Sequence, residues 1–151
     1  MSFAAVCLLG CMTLFEHASA GATSAMRLSA TPDAKHQIPP QTVKTPLASG
    51  HFTGTLTRSA NGQGVLTWRL TYRDLSGPAI FAYVFLPSTS TQGQTVLDLC
   101  RPRCSTGAQG SIRLVASITR ALTDRTRAAF VEILTRKNPR GEIRGRITRT
   151  G

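Results

Sequence analysis

The sequence predicts an all-β domain, an antiparallel Greek-key-like sandwich or partly closed barrel of about seven or eight short strands. From residue 50 onward, short segments alternate apolar and polar residues with a period of two, as half-buried strands do. Glycine, proline and asparagine separate these segments at positions typical of turns. A chain of 151 residues is long enough for one domain with a core and too short for two ordinary ones.

The first two predicted strands form a hairpin. In HFTGTLT (51–57) and VLTWRLTYRDL (65–75), every second residue is apolar or small, and these residues share one face of each strand. They are Phe52, Gly54, Leu56, Leu66, Trp68, Leu70 and Tyr72. Asn61-Gly62 lies between the two segments and is a strong hairpin signal. We therefore expect two adjacent antiparallel strands with one shared apolar face.

The middle strands surround a pair of cysteines. The segment AIFAYVFLP (79–87) is almost wholly apolar, so we expect a strand that is covered on both sides or lies deep in a sandwich until Pro87 ends it. TVLDLC (95–100) and SIRLVASI (111–118) are the predicted strands on either side of the cysteine loop.

The C-terminal third contains a predicted helical turn and a second hairpin. The segment LTDRTRAAF breaks the period of two, and Thr123 or Asp124 can cap a single helical turn there. Strands 128–135 and 142–148 follow, and residues 138–141 (NPRG) form a β-turn between them because Pro fixes φ and Gly accepts a positive φ.

The last predicted strand has one basic face and one face with a central glycine. Ile143, Gly145 and Ile147 point to one side, and Glu142, Arg144, Arg146 and Thr148 point to the other. Because a mid-strand glycine weakens the strand, Gly145 predicts a bulge or a close approach of another backbone segment.

The N-terminus predicts export. An apolar run from Phe3 to Phe15 is followed by the small residues 18–20 (ASA), which is typical of a signal peptide cleaved after Ala20. The segment LLGC is similar to a lipobox, so a lipoprotein with a lipid anchor on Cys11 is an alternative, and a retained or misassigned N-terminus is a third. The predicted organisation is signal peptide 1–20, linker 21–27 and domain 28–148, with no transmembrane helix.

The mature chain is strongly basic. Removal of residues 1–20 leaves 18 basic and six acidic residues, a net charge of +12, and all but three of the basic residues are arginine. Such a charge attracts polyanions, and it specifies neither a fold nor a particular partner. An arginine bias of the source genome explains the composition equally well.

Two cysteines remain in the mature chain, Cys100 and Cys104. In an exported protein this pair is expected to form a disulfide that fixes a short loop. Zinc or free thiols are the alternatives, but a zinc site needs two further ligands, and the mature chain offers only His36 and His51 in polar sequence. We therefore predict no metal and no cofactor.

Several motifs resemble the CHRD (chordin) domain family, of which this chain looks like a single-domain bacterial member. NPRGEIRG is similar to the family's C-terminal signature, through Asn138, Pro139, Gly141, Glu142, Ile143, Arg144 and Gly145. QIPPQT (37–42), ASGHFTGTL (48–56) and LTYRDLSGPA (70–79) match further family segments in the same order. The resemblance covers residues 28–148 and implies an extracytoplasmic domain. Closely spaced cysteines in the middle loop are also common in bacterial members.

The chain departs from the family at three histidine positions. Family members usually carry His-x-His after the Ser-Gly-Pro turn and a third His before the Asn-Pro turn, where this chain has Tyr83, Phe85 and Leu134. If those histidines form a metal or proton site in relatives, these replacements cannot form it. Because all three are replaced together, we predict that strands 79–86 and 128–135 are neighbours and that the three side chains form one apolar cluster.

Residue types argue against catalysis. The mature chain shows no nucleophile beside a base and no paired carboxylates of the kind that acid–base chemistry requires. Glu132 stands where the family-like residue is Asn, and an outward-facing glutamate paired with an arginine is the favoured interpretation over a catalytic one. We expect a non-enzymatic protein.

A binding module is the favoured class. Arginines occupy strand positions opposite the apolar ones at Arg69, Arg73, Arg113, Arg144 and Arg146. If several lie on one sheet, they form a platform able to bind phosphates or carboxylates in a bidentate manner. The predicted partner is an anionic glycan, a phosphate-rich envelope component or another protein. The Glu142 and Arg144 pair is interpreted first as architectural, closing the last hairpin, and only second as ligand-binding.

Three other functions stay open. Nucleic-acid binding is not expected, because the chain is exported and Trp68 and Tyr72 share a face with leucines and are not free for stacking. The first alternative to a binding module is a metal-binding or redox-related extracytoplasmic domain. The second alternative is a structural envelope protein that electrostatic attraction alone retains at the envelope. In each case we expect a secreted, periplasmic or envelope-associated location.

Overall fold

Two antiparallel sheets face each other in a sandwich. The computed structural model describes residues 24–87 and 93–151. Its elements are β1 (Ser24–Ala30), β2 (Ser49–Arg58), β3 (Gly64–Arg73), β4 (Ala79–Pro87), β5 (Gly93–Cys100), β6 (Ala108–Leu114), α1 (Ala116–Thr123), β7 (Phe130–Thr135), β8 (Ile143–Arg146) and β9 (Thr148–Thr150). The five-stranded sheet has the order β6-β3-β2-β1-β9, and the four-stranded sheet has the order β5-β4-β7-β8.

The connections give the sandwich its Greek-key character. β1, β2 and β3 form a meander, and the chain then crosses to the other sheet for the β4–β5 hairpin. β6 returns to the five-stranded sheet beside β3, and β7 then returns to the four-stranded sheet beside β4. The chain therefore crosses between the two sheets several times, as in a Greek key. The predicted fold class is confirmed as a sandwich, not a closed barrel, in the part of the chain that the structure describes.

The core fills the space between the sheets and follows the predicted alternation. Large apolar side chains of β2 and β3 meet those of β4, β7 and β8, and all of them are buried. They include Phe52, Leu56, Leu66, Leu70, Val84, Val131, Ile133 and Ile143. The Asn61-Gly62 hairpin is confirmed, since the Ser59 amide donates to the Gln63 carbonyl at 2.9 Å.

The region before β2 and the region after β6 differ from the prediction. Residues 24–27, interpreted as linker, belong to β1, which pairs with β2 along its whole length and thereby gains its hydrogen bonds. The strand predicted over 111–118 stops at Leu114 and is followed by α1. Its apolar residues Leu114, Ile118 and Leu122 also fit a period of four, so the pattern did not distinguish strand from helix. The prediction that Thr123 or Asp124 caps the start of a helical turn is wrong, because α1 ends at Thr123 and Asp124 is its C-cap.

The last predicted strand divides between the sheets. β8 pairs with β7 in the four-stranded sheet, and β9 pairs with β1 in the five-stranded sheet. The switch occurs at Ile147, which is buried and donates its amide to the Ala129 carbonyl at 2.7 Å. A single segment of chain therefore joins both sheets, and the sandwich has nine strands in its described part.

Residues 31–48, which we name the arm, connect the two sheets on the side where β8 and β9 lie. The Asp33 backbone exchanges two hydrogen bonds of 3.1 Å with Arg144 of β8, and it also bridges to Ser49 of β2. Gly145 lies against the arm so closely that a Cβ atom there would meet the Pro32 nitrogen at 2.6 Å. The predicted close backbone approach at Gly145 is thus confirmed.

The cysteine loop closes the other side. The sulfur atoms of Cys100 and Cys104 lie at bonding distance, 2.13 Å, and the Cys104 amide donates to the Ala79 carbonyl at 3.1 Å. The loop between β5 and β6 is thereby attached to the start of β4. Over residues 24–87 and 93–151, no helix has the length and hydrophobicity needed to cross a membrane.

The predicted signal peptide, the possible lipidation at Cys11 and the first three linker residues lie outside the residues that the structure describes.

Candidate functional site

The Asn-Pro-x-Gly-Glu motif builds a buried polar cluster. Glu142 is 0 % exposed and accepts hydrogen bonds from the Ser76 hydroxyl at 2.6 Å, the Thr45 hydroxyl at 3.0 Å, the Ser76 amide and the Thr135 hydroxyl. Burial acts to raise the pKa of Glu142, but the hydrogen bonds from Ser76 and Thr135 outweigh it, and the pKa lies below its ordinary value. The carboxylate is therefore held ionised.

Asn138 attaches the arm to the same cluster. Its side-chain oxygen accepts from the Val43 amide at 2.8 Å, and its Nδ2 donates to the Val43 carbonyl at 3.0 Å. Gln41 continues this attachment by donating to the Glu142 carbonyl at 2.7 Å. We name Thr45, Ser76, Thr135, Asn138 and Glu142 the motif cluster, and it joins the arm, the turn before β4 and the last hairpin.

The three replaced histidine positions lie on one face, as predicted. β4 and β7 are neighbours, and Tyr83, Phe85 and Leu134 all lie on the outer side of the four-stranded sheet. Tyr83 and Phe85 are in contact, with ring centroids 5.9 Å apart. Leu134 is opposite Phe81, at the other end of the strand pair from Phe85. The three residues thus share a face, but Leu134 is not part of the aromatic contact.

This face is not purely apolar, which corrects the prediction. Glu132 lies between the replaced positions, is only 5 % exposed, and accepts hydrogen bonds from the Tyr83 hydroxyl at 2.9 Å and from Gln37 Nε2 at 2.5 Å. Burial raises the pKa of Glu132, and the hydrogen bonds from Gln37 and Tyr83 only partly offset that effect. Burial and the adjacent Glu132 likewise raise the pKa of Tyr83 far above its ordinary value.

Arg144 covers the same face with its guanidinium group. It is opposite Glu132 in the β7–β8 register and lies over the Phe85 and Phe130 rings, 4.6 Å and 4.0 Å from their centroids. Its Nε is buried without a hydrogen-bond partner in the described structure, and burial lowers the pKa of the guanidinium. The prediction that Glu132 faces solvent and pairs with an arginine is wrong, because Glu132 is buried and accepts hydrogen bonds from Tyr83 and Gln37. Arg144 stacks on aromatic rings and forms no ion pair within 4 Å in the described structure.

His36 and His51, the two histidines among the described residues, are solvent-exposed and donate no hydrogen bond to Glu132 or Glu142. His36 accepts or donates a hydrogen bond of 2.7 Å with Asp33 in the arm, and His51 lies on the outer side of β2. Among the residues that the structure describes, no three His, Cys, Asp or Glu side chains converge on one point.

The five candidate arginines do not form one platform. Arg69 and Arg73 of β3 and Arg113 of β6 lie on the outer side of the five-stranded sheet, while Arg144 and Arg146 of β8 lie on the outer side of the other sheet. The alternation placed each of them correctly away from the core. The alternation could not show which of the two sheets each arginine belongs to, because that depends on the order of the strands in space.

The five-stranded sheet presents the more open basic surface. Arg27 of β1, which the linker interpretation concealed, lies on the same side as Arg69, Arg73 and Arg113, and all four are exposed. The signal that could have revealed Arg27 is the alternation of Met26, Leu28 and Ala30 with polar residues. We name this outer side, with its four arginines, the basic face.

Hydroxyl groups fill the space between these arginines. In the strand register, Arg27 is opposite Thr55, Thr55 is opposite Thr67, and Arg69 is opposite Thr53. A shallow depression of about 530 Å³ lies among them and is lined by Arg27, Ser29, Thr53, Thr55, Thr67, Arg69 and Thr150. The described strands of this sheet contain no Asp or Glu, and the nearby carboxylate of Asp74, which follows β3, lies 3.8 Å from Arg73 at the edge of the face.

Comparison with known proteins identifies the family. A search of curated proteins found no significant match, and a search of solved structures found none either. Residues 28–147 match the CHRD domain, a span that includes the arm, most of both sheets and the motif cluster. Because this match covers most of the chain, the protein belongs to the CHRD domain family.

Proposed function

We propose that the protein is an exported, non-enzymatic binding module that holds an anionic glycan on the basic face. The observation that carries this proposal is the composition of that face, with four exposed arginines, a row of hydroxyl groups and no carboxylate at its described strand positions. Membership of the CHRD family supports a binding role outside the cytoplasm in general terms.

The side chains suit carboxylate or sulfate groups on a sugar chain. A guanidinium binds such groups through two parallel hydrogen bonds, and threonine hydroxyls can donate to or accept from sugar hydroxyls. Arg27 and Arg69 stand on strands separated by β2, roughly 10 Å apart across the sheet given the spacing of strands. An extended polymer with repeated acidic groups can reach both arginines at once, whereas a single small anion cannot.

The same face is poorly suited to nucleic acid. Its described strand positions carry no aromatic side chain for base stacking, since Trp68 is buried beneath the sheet and Tyr72 packs against the core and donates its hydroxyl to the Cys104 carbonyl.

The buried glutamates support the non-enzymatic part of the proposal. Glu142 has its acceptor positions occupied by the motif cluster, and Glu132 is enclosed by Gln37 and Tyr83. Neither carboxylate faces the depression on the basic face, so neither is placed to act as an acid or base on a ligand bound there.

The test is calorimetric titration with a polyuronate and with a neutral glucan at physiological salt. We expect saturable binding to the polyuronate only, and a loss of affinity of roughly a hundredfold or more in the double variant Arg27→Gln/Arg69→Gln, because charge-assisted hydrogen bonds are worth about 1.5–3 kcal/mol each. The matched control is Arg103→Gln/Arg120→Gln, which removes two exposed arginines outside the basic face and should bind normally. Equal losses in both variants, or binding without saturation that disappears with salt, would favour loose electrostatic retention.

A further inference from the structure

The arm presents exposed aliphatic side chains at one end of the sandwich. Ile38 is 69 % exposed, Leu47 is 76 % exposed and Val43 is 40 % exposed. Pro39, Pro40 and Pro46 lie beside them and are also exposed. Scattered single apolar residues are common on protein surfaces, but three within ten residues of one loop form a local apolar surface.

Cations occur in the same segment as these apolar residues. Lys35 and Lys44 line a cleft of about 420 Å³ together with Pro40 and Pro46. The adjacent turn of the last hairpin adds three exposed cations, Arg136, Lys137 and Arg140. All three lysines of the chain outside residues 1–20 are therefore at this end, which we name the arm end, formed by residues 35–47 and 136–140.

Hydrogen bonds hold the arm against the turn, so the two groups of residues form one surface. Both backbone groups of Val43 bind Asn138, and Gln37 donates to the Arg140 carbonyl at 3.2 Å. Within the arm, Gln41 accepts from the Thr45 amide at 3.0 Å and donates to the Thr45 hydroxyl at 2.7 Å. The loop needs no rearrangement to present its exposed side chains.

The nearby carboxylates do not cancel the positive charge. Glu132 and Glu142 are buried in their own clusters. Asp33 binds His36 at 2.7 Å, and Asp74 lies 3.8 Å from Arg73. The five cations of the arm end are absent from every ion pair found among the described residues.

We propose that the arm end docks onto the surface of an anionic phospholipid bilayer. Exposed aliphatic side chains and exposed cations together match the two zones of such a surface: Ile38, Val43 and Leu47 enter the boundary between headgroups and acyl chains, and the lysines and arginines bind lipid phosphates. An acidic protein surface would match the cations but would leave the exposed aliphatic side chains without an apolar partner, so we favour the bilayer. This surface lies on the arm and the last turn, so the proposal is independent of glycan binding on the basic face.

The test is sedimentation of the full chain with vesicles of neutral phosphatidylcholine and with vesicles containing phosphatidylglycerol as well. We expect binding to the anionic vesicles and little to the neutral ones. The variant Ile38→Ser/Leu47→Ser keeps every cation, and we expect it to lose roughly tenfold or more in partitioning because it removes the inserted aliphatic groups. The single variant Leu47→Ser is compared with Val115→Ser, which removes one aliphatic side chain, 60 % exposed, outside the arm end and should bind the anionic vesicles normally.

A second pair of variants tests the charge. Lys35→Gln/Lys44→Gln/Lys137→Gln removes three cations from the arm end and should weaken partitioning by roughly a hundredfold, since each cation near an anionic surface contributes about a factor of five. Arg103→Gln/Arg120→Gln/Arg127→Gln removes the same charge elsewhere and should lose much less. The double variant Arg27→Gln/Arg69→Gln should bind vesicles normally, which separates this proposal from the proposed glycan binding.

Three results would overturn the proposal: equal binding to neutral and anionic vesicles, unchanged partitioning of Ile38→Ser/Leu47→Ser, or equal losses in the two triple variants. Binding to polyglutamate with the same dependence on the arm end, but none to anionic vesicles, would overturn it in favour of an acidic protein partner. Circular dichroism of each variant identifies any that fails to fold. In that case the single variants Leu47→Ser and Lys44→Gln, both at exposed positions, take its place.

Discussion

Two buried glutamates ten residues apart show how differently one fold can treat the same side chain. Glu142 receives four hydrogen bonds from hydroxyl and amide groups, and its pKa is lowered. Glu132 receives two, from Gln37 and Tyr83, and burial raises its pKa. Burial opposes ionisation at both sites; the hydrogen bonds outweigh it at Glu142 and only partly offset it at Glu132. We infer that Glu142 is a structural anion and that Glu132 is a carboxylate whose ionisation costs stability.

The largest effect is expected from Glu142→Gln. The new amide NH₂ would face groups that themselves donate hydrogen bonds, leaving Ser76 and Thr135 without an acceptor, so we expect a loss of about 2–4 kcal/mol in the free energy of unfolding. Urea denaturation at neutral pH measures this, with Glu132→Gln as the matched control at the other site. Similar small losses in both variants would remove the distinction between the two glutamates.

A smaller effect is expected from Gly141→Ala, which acts between the two sites. Gly141 has a φ of +118°, and a Cβ there would collide with the side chains of Gln37 and Glu132. We expect a loss of about 1–3 kcal/mol from strain and displacement of Gln37. If the collision with Glu132 contributes, the loss should shrink in the Glu132→Ala background, as a double-mutant cycle by urea denaturation would show.

The double-mutant cycle can also contradict this explanation. If Gly141→Ala lowers the free energy of unfolding equally in the wild-type and Glu132→Ala backgrounds, the whole loss comes from backbone conformation and none from a collision with Glu132.

The smallest effect is the pH dependence of stability, which should have opposite signs at the two sites. The pKa of Glu132 is raised in the folded state, so its contribution is most favourable below the ordinary pKa of 4.5 and declines as pH rises through the folded pKa. The pKa of Glu142 is lowered, so its contribution is present above 4.5 and is lost as pH falls through the folded pKa.

Denaturation of wild type and Glu132→Gln between pH 4 and neutral pH tests this sign. We expect the stability of Glu132→Gln, relative to wild type, to rise with pH, because the variant has no carboxylate to ionise. A relative stability that falls over the same range would mean that Glu132 is stabilised as an anion, like Glu142.

The sequence was sufficient to predict those strands and turns that depend on residues close together along the chain. The alternation in β2, β3 and β7 and the turn residues at Asn61-Gly62 have their causes within about ten positions, and they were read correctly. The pairing of β4 with β7 was also correct, because three joint departures from a family pattern pointed to a shared face.

The candidate sites depended on distant residues and were only partly predictable. Glu132 is buried by Gln37, which is 95 positions away, and Asn138 binds Val43 across the same separation. No local pattern marks Gln37, since a polar residue in a proline-rich segment usually lies in solvent. β1 was missed although Met26, Leu28 and Ala30 alternate with polar residues, because three apolar positions are a weak signal and the hydrogen bonds of β1 come from the distant strands β2 and β9.

The passage of the last segment from one sheet to the other at Ile147 has a consequence for how the domain is made. β1 cannot complete its pairing until β9 exists, and the Ser29 and Thr148 side chains that meet there are 119 positions apart. A growing chain can form the β2–β3 hairpin early, but the two sheets stay unfinished until β8 and β9 have been made. Pairing between segments so distant in sequence makes folding slow, because the entropy of closing a long loop is lost before the contacts form.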